Sequence, residues 1–405
     1  MGPPVSEAPP AVEGHLDVLD GVRAIAALVV LVYHVAAQTG LSFQEGFVNG
    51  LLSRGDLGVP VFFLLSGLLL YRPWAKAAIE GTAGPGARRY LLKRALRILP
   101  AYWVVVAVAL VWFHPGAARD PLNWLPLLLL VQNYVSEPWW APGVGPLGLG
   151  QMWSLSVEMS FYLALPLIAL ALHAYAARGP AGPPARAVRL LAGIGALASL
   201  SLVWTLFMHV GGSHPEYGLW LPRPLPYFCA GMALSVVALW AHAEPDPAAP
   251  VRRLTAGIAR SWVNCWIIAG LTLAVAATPL TGGRFLEVQD LWTDLFETAL
   301  YTAFILALLA PVAFLPAGPT VPRAILGNRV MRYLGRVSYG IFLWQFVVIL
   351  GYWRLAGLEE FSGDFLTALV VCGGITIALA DLTYRLVERP ALRLHRYAGR
   401  PSGRE

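Results

Sequence analysis

Charged residues are scarce in this chain. Asp, Glu, Lys and Arg together make up 13% of its 405 residues, and the mean hydropathy is +0.62. Soluble domains carry roughly twice that charged fraction, which excludes a soluble globular protein. The apolar runs are as long as membrane-spanning helices and do not alternate as strands would. The fold class is therefore predicted to be all-α, as a polytopic integral membrane protein.

Cysteine and lysine are also rare. Cys229, Cys265 and Cys372 are isolated and form no CxxC pair, so neither a disulfide framework nor a metal site is expected. Lys76 and Lys93 are the only lysines beside many arginines, which, with the abundance of Ala, Gly and Pro, indicates a GC-rich bacterial genome. The formal net charge of +6 does not indicate a nucleic-acid partner, because the positive residues fall in loops between apolar runs.

The apolar runs predict about ten transmembrane helices. A shorter run at residues 122–135 lies between Pro121 and Pro138 and is predicted to be a re-entrant or interfacial segment. Residues 1–14 lack the apolar core of a secretory signal and are predicted to be a disordered cytoplasmic tail. Residues 15–394 then form the transmembrane domain, and residues 395–405 a cytoplasmic tail, so no appended soluble domain is expected. The predicted crossings are residues 16–38, 56–74, 99–113, 151–175, 190–210, 225–243, 261–280, 291–315, 337–356 and 365–386.

Positive residues cluster in alternate loops. The positive-inside rule predicts that these loops and both termini are cytoplasmic, in a multi-pass protein of the cell membrane. The basic residues are Lys76, Arg88, Arg89, Lys93, Arg94 and Arg97; Arg178, Arg186 and Arg189; Arg252, Arg253 and Arg260; Arg323, Arg329, Arg332 and Arg336; and, at the end, Arg389, Arg393, Arg396, Arg400 and Arg404.

The first predicted helix carries two polar side chains on one face. Arg23 and His34 are separated by about three helical turns plus 20°, which is roughly 16 Å along the axis. Such groups are costly to bury in lipid and are expected to face protein or a water-filled cavity. A snorkelling arginine and a structural histidine that bonds to another helix would explain the same pattern.

Glu158 lies about two turns inside a later predicted helix, with Ser154 on the same face. An ionisable group there costs about 2.5–3.5 kcal/mol on insertion scales, so a partner or a function is expected. His34 and Glu158 both fall in the predicted outer halves of their helices, and an acid that orients a histidine base is a common catalytic arrangement. A structural hydrogen bond from Glu158 to a neighbouring helix is the alternative.

Arg94 and Arg97 lie three residues apart at the predicted cytoplasmic mouth of the third helix. Two guanidinium groups on one face suit phosphate oxygens; a positive-inside anchor at a helix start is the alternative, and the sequence alone favours it. Ser66 lies among small residues, where a ligand or another helix can approach closely. Asp381 and Arg385, four residues apart, are predicted to form an ion pair within one helix.

Six blocks of the sequence, taken in order, resemble the bacterial membrane acyltransferase-3 family, and the likeness extends over residues 16–394. One position departs from the family pattern: Gln345 follows the fifth block where a histidine is common, so a second imidazole is missing here. The blocks are LDVLDGVRAIAALVVLVYHV with Arg23 and His34, GVPVFFLLSG (58–67), KRALRILP with Arg94 and Arg97, WSLSVEMSFYLALP (153–166), SYGIFLW (338–344) and YRLVERP (384–390).

The resemblance implies an O-acyltransferase that moves an acyl group, often acetyl, from acyl-CoA to a hydroxyl of a carbohydrate, glycolipid or macrolide-like acceptor. Acyl-CoA would be a co-substrate from the cytoplasm, and no permanently bound cofactor is expected. Arg94 and Arg97, with Arg23 nearby, are then predicted to bind the CoA phosphates. The pantetheine arm is comparable in length with the rise from Arg23 to His34.

With that chemistry, His34 is predicted to act as general base on the acceptor hydroxyl and Glu158 to orient it. Trp153 and Ser154 are predicted to line the acceptor side, and Ser66 to donate a hydrogen bond to the oxyanion. An acyl-histidine intermediate stays open as an alternative to direct transfer. The acceptor's identity and side of entry, the acyl chain length and the oligomeric state do not follow from the sequence.

Two other functions remain as alternatives. A proton-coupled transporter or flippase would use Arg23, His34 and Glu158 as a pathway, although no internal repeat is evident. A non-catalytic membrane scaffold would leave the aligned Arg23 and His34 unexplained.

Overall fold

The computed structural model of the chain describes residues 8–12, 16–141, 145–179, 182–210, 214–282 and 289–398. Within these residues it contains helices and one isolated bridge, between Pro10 and Pro316, with no β-strand. The α-helices are α1 Asp17–Gln38, α2 Phe47–Ser53, α3 Gly58–Glu80, α4 Ala87–Phe113, α5 Leu125–Leu128, α6 Trp153–Ala176, α7 Pro183–His209, α8 Leu225–Ala243, α9 Pro250–Arg260, α10 Trp262–Ala276, α11 Leu291–Ala313, α12 Val321–Leu326, α13 Arg329–Ala356, α14 Phe365–Thr383 and α15 Arg389–Ala398. Short 3₁₀ helices cover Leu41–Phe43, Gly55–Leu57, Ala117–Arg119, Pro121–Asn123, Gln132–Tyr134, Gly150–Met152, Pro215–Leu219 and Pro279–Thr281, and a π-helix covers Tyr384–Glu388.

The predicted fold class is confirmed: the protein is an all-α polytopic membrane protein. In the described part of the chain, 9 helical segments are long and apolar enough to cross a membrane. A tenth results if α9 and α10, which meet at an angle of 69°, count as one broken span. Nine of the ten predicted crossings overlap these 9 segments, and the tenth, 261–280, overlaps α10, the second half of the bent pair.

The chain forms two compact units, which are described separately. The first comprises Met1–Tyr33, Ser42–Gly84 and Ala164–Arg336, and the second comprises His34–Leu41, Pro85–Leu163 and Val337–Glu405. Three of the unit boundaries fall within α1, α6 and α13, so each of these helices contributes residues to both units.

In the first unit, α3 and α8 pack closely because each presents a glycine to the other's backbone. A Cβ atom at Gly67 would meet the carbonyl oxygen of Phe228, and one at Gly231 would meet that of Leu64. The rings of Phe63 and Phe228 stack beside this contact, with centroids 4.6 Å apart. Lipid provides no hydrophobic driving force for helix association. Small residues let membrane helices approach closely, and the van der Waals packing between them then holds the pair together.

A buried ionic cluster also lies in the first unit, where α3, α8 and α11 begin. The Arg54 guanidinium is 3.3 Å from the Glu297 carboxylate and donates to the Ala276 carbonyl at 2.8 Å. Arg223 pairs with Asp294 and lies 3.7 Å from Glu297. Burial works against the Arg223 charge, but the facing Asp294 carboxylate more than offsets it, so the pKa of Arg223 lies above its ordinary value. The cluster therefore holds permanently charged guanidinium groups against carboxylates.

The N-terminal segment differs from the predicted disordered tail where it is described. The Ala11 N–H donates to the Leu315 carbonyl at 2.9 Å, and Arg72 donates to the Ala11 carbonyl at 3.3 Å. The imidazole Nδ1 of His242 lies 2.9 Å from the Pro10 carbonyl. The backbone of residues 8–12 is thus held by the chain just after α11 and by side chains of α3 and α8, which composition does not reveal. Residues 1–7, 13–14 and 399–405 of the predicted tails lie outside the described residues.

In the second unit, the predicted re-entrant or interfacial segment at 122–135 contains no helix long enough to cross. It consists of α5, which has 4 residues, and 3₁₀ turns on either side. Its carbonyls are held by neighbours: the Tyr102 hydroxyl donates to Leu127 at 2.7 Å, and the Ser156 hydroxyl to Leu130 at 2.6 Å. Leu130 itself adopts a left-handed conformation, with φ of 59°. Non-helical backbone at membrane depth is tolerated where protein groups satisfy it in this way.

Candidate active site

Most residues that the sequence nominates for chemistry lie in the second unit. His34, Arg94, Arg97, Trp153, Ser154 and Glu158 belong to it, whereas Arg23 and Ser66 belong to the first unit. Arg23 is half-buried on α1 and pairs with Asp20 one turn earlier, at 3.3 Å. Ser66 is half-buried within α3. The roles of Arg23 and Ser66 stay predictions.

His34 meets α13 through a hydrogen bond between Nδ1 and the side-chain oxygen of Gln345, 3.1 Å long. The other end of the amide, Nε2 of Gln345, donates to the Phe342 carbonyl at 3.1 Å. Since that carbonyl only accepts, the amide oxygen faces His34, and Nδ1 of the imidazole must be the donor. The proton is thereby fixed on Nδ1, which leaves Nε2 of neutral His34 with a lone pair. The Phe346 ring packs edge-on against the imidazole, with centroids 4.3 Å apart.

Gln345 is fully buried, and a second buried amide shares its anchor. Nε2 of Gln151, just before α6, donates to the carbonyls of Phe342 at 3.2 Å and Leu343 at 3.0 Å. Two glutamine side chains therefore converge on one turn of α13. The sequence identified Gln345 only as a departure from the family pattern, and it gave Gln151 no role. The sequence does place both amides inside apolar runs. Burying an amide there is costly unless it is hydrogen-bonded, so this position could have indicated a structural or functional partner.

Glu158 lies one to two turns after the start of α6, among other polar groups. The Tyr162 hydroxyl, one turn further along α6, donates to its carboxylate. Glu158 is also close enough to Tyr90 of α4 and Tyr339 of α13 for its charge to act on their hydroxyls. The described hydrogen bonds of Glu158 and His34 thus go to Tyr162 and Gln345, and their mutual pairing stays a prediction.

The start of α6 is clamped by the preceding non-helical segment. Asn133 donates to the Trp153 carbonyl at 2.9 Å, and Gln132 to the Met152 carbonyl at 3.1 Å. The Ser154 hydroxyl, which is buried, donates to the Gln151 carbonyl at 3.1 Å. These bonds hold Trp153 and Ser154 beside Gln151, which supports one local site without testing their predicted contact with an acceptor.

The two arginines of KRALRILP have different environments. Arg97 forms a 2.7 Å ion pair with Glu388, whose side chain is fully buried, and its guanidinium lies 5.8 Å from the centre of the Tyr339 ring. Arg94 is half-buried, and its Nε has no hydrogen-bond acceptor among the described residues. Arg97 therefore pairs with another residue of the protein, while the Nε–H of Arg94 can donate a hydrogen bond to a ligand.

A π-helix places Glu388 at this pair. Residues Tyr384–Glu388 form one wide turn between α14 and α15, a feature that often accompanies functional sites. The extra residue shifts the helix face, so Glu388 turns inward while Arg385 pairs with Asp381 at 2.7 Å on the more exposed side. The predicted Asp381–Arg385 ion pair is thus confirmed.

The second unit accordingly combines a histidine of fixed tautomer, buried amides and a guanidinium with spare donors. Such a set can accept a proton from a hydroxyl and hold an anion. Among the described residues, no group of three or more His, Cys, Asp or Glu side chains is arranged to hold a metal ion.

The chain is similar to bacterial proteins named as O-acetyltransferases. A putative peptidoglycan O-acetyltransferase of Bacillus subtilis, YrhL, is 27% identical over 386 residues, which is 92% of this chain and 54% of that protein. The peptidoglycan O-acetyltransferase OatA of Listeria monocytogenes is 25% identical over 393 residues, covering 92% and 55%. A putative O-acetyltransferase of Staphylococcus aureus is 23% identical over 392 residues, covering 92% and 56%. The chain thus spans about half the length of the curated relatives it matches.

No solved structure matches the chain. The profile of the family described as "Acyltransferase domain" matches residues 16–385, which is most of the 405-residue chain. The chain therefore belongs to the acyltransferase-3 family.

Proposed function

We propose that this protein is a membrane O-acyltransferase that moves an acyl group, acetyl in the first instance, from acyl-CoA to a hydroxyl of a glycan. The observation that carries the proposal is the hydrogen bond from Nδ1 of His34 to Gln345, because it leaves Nε2 of the imidazole as a base. Family membership supports acyl transfer, and the names of the bacterial relatives support acetyl and a glycan acceptor.

In the proposed reaction, Nε2 of His34 takes the proton of the acceptor hydroxyl while its oxygen attacks the thioester carbonyl carbon. The tetrahedral intermediate then collapses, the carbon–sulfur bond breaks, and the thiolate of CoA leaves. The His34 imidazolium returns the proton to that sulfur. The products are an O-acyl ester and free CoA, and His34 is again neutral. General-base assistance of this kind contributes about 10²–10⁴-fold to the rate.

Arg94 is the proposed phosphate ligand in the second unit. Its Nε is buried without an acceptor, and an unsatisfied guanidinium donor is costly unless a ligand completes it. A phosphate of acyl-CoA provides acceptor oxygens of opposite charge. Arg97 supports the site indirectly, since it joins α4 to Glu388 and lies over Tyr339.

Purified protein in detergent micelles, supplied with radiolabelled acetyl-CoA and chitooligosaccharide, tests the proposal. The wild type is expected to release free thiol and to label the saccharide, and His34→Ala to lower that rate by at least about 100-fold. His173→Ala, in α6 of the first unit, is the matched control and is expected to keep the wild-type rate. Equal turnover by His34→Ala and the wild type would refute the role of His34.

A further inference from the structure

Two buried glutamine side chains in the second unit end in oxygens that no described donor satisfies. They are Oε1 of Gln151 and Oε1 of Gln132, and their side chains lie on either side of the start of α6. The two residues are 3% and 9% exposed, respectively. A buried acceptor without a donor is rare, because it loses its hydrogen bonds to water on folding.

Reversing the amides does not solve the problem. Nε2 of Gln151 uses both hydrogens on the Phe342 and Leu343 carbonyls, and Nε2 of Gln132 donates to the Met152 carbonyl. Carbonyls cannot donate, so exchanging oxygen and nitrogen would leave two oxygens facing each other at each contact. Both oxygens are therefore fixed in orientation and have no O–H or N–H donor in the part of the chain that the structure describes.

Gln151 is adjacent to the proposed base through a shared atom. The Phe342 carbonyl accepts from Nε2 of Gln151 and also from Nε2 of Gln345, whose oxygen accepts from His34. Gln151 is thus connected to the proposed base through Gln345 and one carbonyl. A second hydroxyl of the compound whose first hydroxyl gives its proton to His34 can supply the donor that Gln151 lacks.

We infer that Gln151, assisted by Gln132, recognises a non-reacting hydroxyl of the acceptor and so selects polyhydroxyl acceptors over simple alcohols. This inference rests on the proposed function for the identity of the reacting group. It makes Gln151 a specificity-determining residue, with the amide oxygen as hydrogen-bond acceptor and the substrate O–H as donor. A site built to bond a hydroxyl discriminates strongly against the analogue that lacks it.

The test measures binding without acyl-CoA, so it does not depend on turnover. Saturation-transfer NMR titrations give the Kd of methyl N-acetylglucosaminide and of each of its monodeoxy analogues for the wild type, Gln151→Met, Gln132→Met and the exposed control Gln44→Met. For the wild type and the control, loss of one particular hydroxyl is expected to weaken binding about tenfold. Gln151→Met is expected to bind the parent about tenfold more weakly and to lose that discrimination, which is the signature of a coupled pair.

Gln132→Met provides the second arm, should Gln151→Met not fold, and the same loss at one hydroxyl is expected. Discrimination by both variants equal to that of the wild type, or no discrimination by the wild type, would overturn the inference and assign the oxygens to structural waters only. The acetyl-transfer assay, run on the same variants, adds two outcomes. A raised KM for acetyl-CoA with unchanged glycoside selectivity would overturn the inference too, since it would assign the donor to the pantetheine amides. Glutamine-dependent glycoside binding without any acetyl transfer would instead refute the proposed function and leave this site standing.

Discussion

At the scale of single residues, the proposed chemistry depends on a neutral amide in a position where many histidine bases have a carboxylate. Gln345 accepts from Nδ1 of His34 and thereby fixes the tautomer and the orientation of the ring. It brings no charge to stabilise the imidazolium. The protein therefore relies on orientation of the base, and that orientation is set by the bond from Gln345 to Phe342.

Gln345→Met should expose this dependence. Methionine fills a similar volume but cannot accept from Nδ1, so the proton can move to Nε2 and the ring loses its anchor. We expect kcat to fall about 10- to 100-fold, the size of effect that a small misplacement of a catalytic group produces, with little change in the KM for acetyl-CoA. Steady-state kinetics beside Gln44→Met as control measure this. A variant with full kcat would show that Gln345 does not position His34.

Arg94 and Arg97 allow a matched comparison on one helix. Arg94→Gln should raise the KM for acetyl-CoA about tenfold and leave thermal stability near that of the wild type, because the buried Nε has no acceptor among the described residues to lose. Arg97→Gln should lower the free energy of unfolding by about 2–3 kcal/mol, because it leaves the buried Glu388 carboxylate unpaired. The loss is expected to be smaller than for a fully buried pair, since Arg97 is partly exposed.

Kinetics and thermal unfolding of both variants in the same detergent separate the two roles. Arg97→Gln combined with Glu388→Gln should recover part of the lost stability, because the unpaired carboxylate is then removed. The opposite pattern, with the stability loss at Arg94 and the KM effect at Arg97, would exchange the two assignments.

At the scale of helices, the sequence predicts position well and pairing poorly. Apolar run length locates the membrane-length part of a helix, and α1 and α8 begin and end almost where hydropathy puts them. It misses polar extensions, since α4 begins at Ala87 and α13 at Arg329, well before the predicted crossings 99–113 and 337–356. The break at Ser261 between α9 and α10, and the π-turn that brings in Glu388, depend on packing and leave no hydropathy signal. The partners of Gln151 and Gln345 were unpredictable for the same reason: a hydrogen bond between distant segments requires their relative placement.

The α3–α8 contact gives a prediction at this scale. Gly67→Ala would push a methyl group against the Phe228 carbonyl, and Gly231→Ala would do the same at Leu64. Overpacking of this kind costs about 1–3 kcal/mol, so each variant should unfold at a lower temperature in detergent. Gly195→Ala in α7 is the control, because a Cβ atom there meets nothing within 4 Å. Unchanged stability of both Gly67→Ala and Gly231→Ala would show that α3 and α8 can move apart without loss of stability.

At the scale of the whole molecule, the ionic cluster joins the starts of α3, α8 and α11 within the first unit. Arg223→Met should leave the Asp294 carboxylate without its paired guanidinium, while Glu297 keeps Arg54, and should lower the free energy of unfolding by about 3–5 kcal/mol. The pKa of Arg223 lies above its ordinary value, so no pH at which the protein folds would mimic the variant.

The double variant Arg223→Met with Asp294→Asn separates lost charge from lost packing. If charge imbalance is the cause, the double variant should be more stable than Arg223→Met alone. Chemical denaturation in detergent measures all three proteins. Equal instability of the single and double variants would attribute the loss to packing around the arginine stem instead.

Sidedness is the remaining property of the whole chain that the sequence predicts, and α4 offers a direct test of it. Its 27 residues span about 40 Å, so Gly86 before it and Gly116 after it should lie on opposite sides of the membrane. At both glycines a Cβ atom would meet nothing within 4 Å, so Gly86→Cys and Gly116→Cys should fold normally.

With Cys229, Cys265 and Cys372 replaced by serine or alanine, a membrane-impermeant maleimide added to intact cells should label Gly116→Cys alone. Permeabilisation should then expose Gly86→Cys, which neighbours Arg88 and Arg89. Labelling of Gly86→Cys in intact cells would reverse the predicted orientation and put the Arg94 end of α4 outside, where cytoplasmic acyl-CoA could not reach it.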